Sequence, residues 1–334
     1  MPTKKNIAHE KAIKLRTVFM GTSHFALPIL EALIANQYNI VAIYTKSDQK
    51  IGRKREDATR AIADNPIRDC AKKHAIPLYQ PLRFDDDVIE TMRTMKPDLI
   101  IVAAYGKIIP STVLALPGFG AINVHPSLLP KFRGPSPIQN ALLMGDKETG
   151  TTIMLMNEDV DAGDILAQKK IPINPHDTTG TLMSKAARTS ADLLLTTLPA
   201  WVARVITPKK QDERKATLCQ LIERSDGHLS WHAEAQEIYN RYRALMPWPG
   251  VFSFWRRKSD DSLVRIKLCS ITMQENDSPS AHTIGEVFLC GEMVGIQTLD
   301  GIIFPEKIQM EGKGVQTIET FRNGCPDFVG SVLQ

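Results

Sequence analysis

Nowhere in the 334 residues is there a CxxC spacing, an HExxH motif, a GxGxxG fingerprint or a long apolar run. Each absence closes a route. The five cysteines (Cys70, Cys219, Cys269, Cys290 and Cys325) are scattered and odd in number, so neither a disulfide framework nor a cysteine-based zinc site is expected. A reducing compartment fits that usage, and no metal is expected. No stretch approaches the roughly 20 apolar residues of a membrane span, and the start "MPTKKNIAHEKAIKLR" lacks the apolar heart of a signal peptide. That start reads as a solvated basic extension. The expected setting is the cytoplasm, with no membrane partner. The "GTS" after the first apolar run has no GxGxxG continuation, which argues for a tight turn rather than a dinucleotide site.

What is present is ordinary for a globular protein, 43% hydrophobic and 23% charged. At 334 residues the chain exceeds what one core usually supports, which predicts two domains. The net charge of +4 is unevenly spread: residues 1–200 hold 25 Lys/Arg against 20 Asp/Glu, while residues 217–334 hold 11 against 15. Within the acidic second part, residues 241–267 carry seven basic and two acidic side chains. A local basic face is predicted there.

Along the chain, "TVFMG", "NIVAIYT" and "KPDLIIVAAYG" read as strands, the last apolar on both faces as a central parallel strand should be. Alternation with helical patterns predicts a doubly wound α/β domain over residues 1–203, with residues 1–15 as an extension. Ligands of such sheets bind beyond the carboxyl ends of the strands. The segment "KSDQKIGRKREDATR" between the second and third strands holds six basic and three acidic residues and reads as a solvated or phosphate-gripping loop. Residues 150–173 read as a strand, an acidic turn and a returning strand, and residues 177–202 as a capped helix. Residues 204–222, around "ITPKKQDERKATL", are polar, basic and aperiodic, and read as an interdomain linker. Beyond it, over residues 223–334, a helical piece closed by "MPWPG" precedes short turn-separated strands, the pattern of a small β-barrel.

The chemistry concentrates in "AINVHPSLLPKFRGPSPIQ". Asn123 and His125 stand two apart, so on a strand both side chains point one way. Together they offer an amide donor and an imidazole, the makings of an oxyanion pocket. The prolines that follow break regular structure at Ser127–Pro130 and leave backbone groups for a flat heterocycle. The loop "EDVDAGDIL" adds Glu158, Asp159, Asp161 and Asp164, any of which could orient the imidazole. On spacing alone, a strand-end hydrogen-bonding pair and a solvent-facing acidic loop are the better readings.

"NVHPSLLP" followed by "VDAGDIL" resembles the signature of the 10-formyltetrahydrofolate-dependent formyltransferases. "GTSHFALPILEAL", "AAYGKIIP", "LLPKFRGPSPIQNALLMGDKETGTTIM" and "LSWHAEAQEIYNRYRALMPWPG" extend the likeness over nearly the whole chain. The resemblance implies a Rossmann-like formyltransferase domain followed by an OB-like β-barrel, acting as a monomer. It implies (6R)-10-formyltetrahydrofolate as formyl donor, initiator methionyl-tRNA as acceptor, and no metal. Asn123, His125 and Asp161 take the catalytic positions. Ser127, Leu128, Leu129 and Pro130, with Val102 and Tyr105, line the implied folate site, and Asp159 and Asp164 belong to the loop over the pterin. Arg53, with Lys54 and Arg55, falls in the loop that enters the acceptor stem. The local excess of basic residues predicts tRNA contacts at Arg256 and Arg257, on a face with Arg241, Arg243, Lys258, Arg265 and Lys267 and helped by the linker residues Lys209 and Lys210; simply solvated strand-edge charges are an equally good reading of several of them. The basic loop departs from the family pattern, keeping only Asp48, Gly52, Arg53, Pro66 and scattered basic residues, so its acceptor-stem contacts are expected to differ.

Three rivals share parts of this pattern. One is transfer to a small amine, for which the basic linker and C-terminal domain would be superfluous. Another is hydrolysis of the formyl donor with water as acceptor. The third is a non-catalytic RNA-binding descendant, which would be expected to have lost one of Asn123, His125 and Asp161; all three are present.

Overall fold

The computed structural model describes residues 4–47, 65–275 and 281–334. Arg53, Lys54 and Arg55 lie outside them. The chain divides into two compact units: Met1–Pro137, Glu148–Ile173 and Met183–Gln220 form the first, and Ile138–Lys147, Asn174–Leu182 and Leu221–Gln334 form the second.

The first unit is built on a seven-stranded sheet. Its strands are β1 (Thr17–Gly21), β2 (Ile40–Tyr44), β3 (Leu78–Tyr79), β4 (Leu99–Ala103), β5 (Ala121–His125), β6 (Glu148–Leu155) and β7 (Ile165–Pro172). They lie in the order β3-β2-β1-β4-β5-β6-β7, a reversal about β1 that marks a doubly wound sheet. The first five are parallel; β6 and β7 return antiparallel. Every residue of β1 and β4 is buried, as strands covered on both faces must be. Helices α1 (Lys4–Lys14), α2 (Ala26–Ala35), α3 (Pro66–Lys73), α4 (Asp86–Thr94) and α5 (Ser111–Leu114) accompany it, whereas α6 (Pro137–Leu143) belongs to the second unit from Ile138 onward and α7 (Thr179–Val202) joins the first unit from Met183. Local chemistry sets their starts: Asn65 accepts from Arg68 N at 3.1 Å before α3, and Asp85 from Val88 N at 3.2 Å before α4. The basic extension forms α1 and is docked, burying Ala12 and Leu15 while Ile13 O accepts from Asn39 N.

The segment read as a linker is stitched along this unit. Lys209 and Ile165 exchange both backbone hydrogen bonds, at 2.8 and 2.9 Å, Arg133 N donates to Thr217 O at 2.8 Å, and Cys219 N donates to Arg133 O at 2.8 Å. A run without hydrophobic period can still be ordered when its backbone is paired in this way.

The second unit carries α8 (Ala235–Leu245), β8 (Val251–Arg256), β9 (Leu263–Glu275), β10 (Val287–Cys290), β11 (Met293–Gln297), β12 (Gly301–Met310), β13 (Val315–Thr317) and α9 (Ile318–Gly324). The sheet order is β10-β11-β12-β9-β8, antiparallel throughout, with β13 beside β12. Both outer edges are taken up by residues 331–334. Gln334 and Phe254 exchange backbone bonds at 2.9 Å, while Leu333 N donates to Gly285 O and Val287 N to Ser331 O, each at 2.9 Å. The sheet thus closes into a barrel, which removes its edges. Trp255, fully buried, meets Phe328 and Phe321 edge-on with centroids 5.3 and 6.1 Å away. Among the described residues no helix is long and apolar enough to cross a membrane.

Candidate active site

Strand β5 ends the parallel part of the sheet, and its carboxyl end carries Asn123 and His125 on one face. Asp161 arrives between β6 and β7, strands that pair from Met154↔Ile165 onward and so hold the connecting turn over that end. The turn is tightly specified. Asp161 takes a left-handed φ of 52°, and a Cβ on Gly163 would stand 1.7 Å from Leu155 O, so only glycine fits.

The three side chains converge on one carboxylate. Asn123 Nδ2 donates to Asp161 Oδ1 at 3.0 Å, and His125 Nδ1 stands 3.5 Å from Asp161 Oδ2. Gly134 N donates to the same Oδ2 at 2.8 Å. Gly134 adopts a φ of 112°, and a Cβ there would meet Cys219 O at 2.5 Å, so the approach of this amide also depends on glycine. On the far side of the imidazole, Nε2 lies 2.9 Å from Phe132 O. A carbonyl only accepts, so Nε2 carries a proton and Nδ1 is the nitrogen turned to the carboxylate. His125 is almost fully buried, whereas Asn123 and Asp161 retain partial exposure and form the reachable part of the cluster.

The loop after β5 is held by its own network. Thr152 Oγ1 donates to Ser127 O at 2.6 Å and accepts from Leu129 N at 3.1 Å; Gln168 Nε2 donates to Leu129 O at 2.8 Å. Thr217 N reaches Pro130 O at 3.1 Å, and Lys131 N reaches Leu128 O at 3.0 Å. The sequence reading expects bare backbone groups at Ser127–Pro130, but these carbonyls each hold a protein partner. Leu128 and Pro130 keep partial exposure, whereas Leu129 is buried. Ser127 is fully buried, its hydroxyl donating to Lys131 O at 2.6 Å.

Val102 pairs directly with Asn123 across β4 and β5 but is buried in the core with the Tyr105 ring. Burial pushes the Tyr105 hydroxyl up to about 12, and that oxygen has no hydrogen-bond partner among the described residues. Only the backbone of Tyr105 reaches outward, its carbonyl accepting from Thr22 Oγ1 at 3.3 Å. Glu158 and Asp159 are exposed on the turn and Asp164 half-buried.

The expected basic residues separate into different environments. Lys209 and Lys210 are exposed. In the second unit Arg256 pairs with Asp261 at 3.2 Å, Arg257 with Asp260 at 3.5 Å and Arg265 with Glu311 at 3.1 Å. Arg243 is buried and donates to Asp177 O at 3.1 Å and Asn240 Oδ1 at 2.5 Å, while Arg241 holds Asp226 O at 2.8 Å. Arg241 and Arg243 hold the unit together. Lys258 is exposed and Lys267 half-buried.

The sequence reading misses Arg133, Gly134, Thr152, Gln168 and Gln211. Arg133 and Gly134 stand inside the quoted "FRGPSP", but Thr152 and Gln168 look like ordinary strand residues, and Gln211 sits in the aperiodic run. Arg133 forms a two-pronged pair with Glu213, at 2.9 and 2.7 Å, which holds the guanidinium above its usual range and the Glu213 carboxyl below. Among the described residues no group of three His, Cys, Asp or Glu side chains could hold a metal ion.

A doubly wound sheet with an Asn, a His and an Asp gathered at the carboxyl end of its last parallel strand, followed by a closed antiparallel barrel, defines a class. The formyl transferase profile matches residues 15–198 and the formyl transferase C-terminal domain profile matches residues 221–326. The chain belongs to the formyl transferase family. Among its relatives, a protein named methionyl-tRNA formyltransferase from Listeria innocua is 38% identical over 93% of this chain and 96% of its own length. Another of that name, from Geobacillus sp., is 45% identical over 72% of this chain and 74% of its own. An N-formyltransferase from Helicobacter canadensis, solved with folinic acid and dTDP-3-aminofucose, shares the fold at a TM-score of 0.62 and 18% identity, over 87% of this chain and 98% of that one.

Proposed function

We propose that the chain transfers the formyl group of 10-formyltetrahydrofolate to the α-amino group of methionine on initiator methionyl-tRNA, giving N-formylmethionyl-tRNA for translation initiation. The observation that carries this reading is the gathering of Asn123, His125 and Asp161 in a chain 38% identical to a named methionyl-tRNA formyltransferase across 93% of its length.

In the reaction the amine nitrogen attacks the formyl carbon, the bond from that carbon to N10 breaks, and a proton passes from the amine to N10. Negative charge gathers transiently on the formyl oxygen. Asn123 has two amide protons and Asp161 takes one of them, so the second serves that oxygen; a donor of this kind contributes about 2.7–4 kcal/mol. His125 is committed at Nε2 to Phe132 O and faces Asp161 through Nδ1. Its part is to hold the place of the carboxylate from one side rather than to donate to the formyl oxygen. Asp161, the partly exposed carboxylate, takes the amine proton directly or through a water, a role worth roughly 10²–10⁴-fold. Leu128 and Pro130 supply the shaped wall for the folate, backed by the buried Ser127 and Leu129, with Asp159 and Asp164 on the turn above it. Lys209, Lys210, Arg256 and Arg257, together with Arg53, Lys54 and Arg55, are assigned to the tRNA. The protein works in the cytoplasm as a monomer.

The test is formyl transfer to charged initiator tRNA, run beside folate release without tRNA. Transfer that depends on the charged tRNA supports the reading; folate turnover indifferent to tRNA would overturn it.

A further inference from the structure

Asp161 is gripped from two directions. Its carboxylate meets Asn123, His125 and Gly134, but its backbone is held by a residue from the stitched segment. Gln211 Nε2 donates to Asp161 O and to Gly163 O, each at 2.8 Å. One amide group therefore clamps both carbonyls of the left-handed turn, spending one proton on each. The orientation of that amide is not ambiguous. Gln211 Oε1 accepts from Arg133 Nε at 3.1 Å and Nη2 at 2.9 Å, and a guanidinium only donates. Arg133 is in turn fixed by the two-pronged contact with Glu213, and its neighbour Gly134 supplies the amide that holds Asp161 Oδ2.

We propose that Gln211 is a positioning residue for formyl transfer. Through the Glu213–Arg133–Gln211 relay, the segment joining the two matched family regions sets the backbone of Asp161 and so the direction of its carboxylate. The inference rests on the reading above that Asp161 serves the reaction. Without the clamp a residue at a φ of 52° relaxes, and its carboxylate moves relative to Asn123 and His125. Displacements of about 1 Å in a reacting constellation cost up to about 10²-fold in rate.

The deciding variant is Gln211→Glu, which keeps the shape and the acceptor for Arg133 but removes both donors. Expected is a fall in kcat of about ten- to a hundredfold, with Tm and the KM for charged tRNA little changed. In an Asp161→Ala background the same substitution should cause no further loss, because its effect passes through Asp161. Gln211→Ala carries the same comparisons should the Glu variant fail to fold. Independently of activity, the Asn123 side-chain amide and His125 ring nitrogen signals in NMR spectra of the folded variant should move from their wild-type positions. A wild-type kcat, a loss that multiplies in full with that of Asp161→Ala, or unmoved Asn123 and His125 signals would each overturn the proposal. A wild-type protein that transfers no formyl group would instead sink the functional reading, and the NMR comparison would still decide whether Gln211 places Asp161.

Discussion

Asn123 Nδ2 donates to Asp161 Oδ1 at 3.0 Å across 38 positions of sequence. The bond settles which of four acidic side chains in the 158–164 turn belongs with the strand-end pair, and it leaves one Asn123 proton unspent at the reachable side of the cluster.

If that proton serves the formyl oxygen, Asn123→Ala should lower kcat about 10²–10³-fold with the KM for charged tRNA little changed. Single-turnover formylation at saturating donor measures the loss. A near-wild-type rate would remove Asn123 from the assigned role.

Gly163→Ala should be costly for a reason unrelated to helix or strand propensity. The added Cβ falls 1.7 Å from Leu155 O, a backbone atom that cannot rotate away. The turn must shift, at about 1–3 kcal/mol of stability, and take Asp161 with it. Urea denaturation should show the lowered midpoint and the formylation assay a parallel loss of kcat. An unchanged midpoint would mean the turn absorbs the methyl group without strain.

Tyr105 places a hydroxyl without a partner among the described residues inside the core of the first unit, and burial pushes it up to about 12. The unfolded chain releases this proton near pH 10. The folded state keeps it longer, so its stabilising contribution is whole below about pH 10 and is lost as pH rises through about 12. Tyr38 behaves alike. Tyr105→Phe should therefore leave stability at pH 7 equal or slightly raised and flatten the alkaline fall. Denaturant titrations from neutral to alkaline pH test both signs, and an unaltered alkaline fall would contradict the burial argument.

Among the cations assigned to the tRNA, those already facing carboxylates should matter least. Arg256 is 3.2 Å from Asp261, whereas the Lys210 side chain is exposed, with no carboxylate partner among the described residues. Lys210→Ala should raise the KM for charged tRNA more than Arg256→Ala and lower the slope of log KM against log salt by about one. Equal effects would show that the Asp261 pair opens on binding.

Much of the fold was legible in local pattern. "LIIVA" announces β4 because a strand covered on both faces has no polar side to alternate, and the turn-separated runs after Gly250 announce an antiparallel sheet. The apolar run "VGIQTLDGIIFPEKIQM" looks like one strand but holds two: the chain reverses at Thr298–Asp300, with Thr298 N and Gly301 O 2.9 Å apart. Apolar alternation on either side of a tight turn hides it. The strand pattern predicts a small barrel, but the residues that close it were not legible, because closure depends on residues 331–334 meeting two edges far away in sequence.

The site divides along the same line. Residue type and spacing were enough to place Asn123 and His125 on one face, since strand geometry is local. They were enough, through the family signature, to single out Asp161. Neither the clamp by Gln211 nor the amide of Gly134 follows from any period or motif. A hydrogen bond between distant segments exists only once folding has brought them together, and the aperiodic polar run around Gln211 gave no sign of its partners. Sequence decided which groups were available for the chemistry; tertiary structure decided that His125 gives one ring nitrogen to Phe132 O and turns the other to Asp161, because only long-range packing sets those directions.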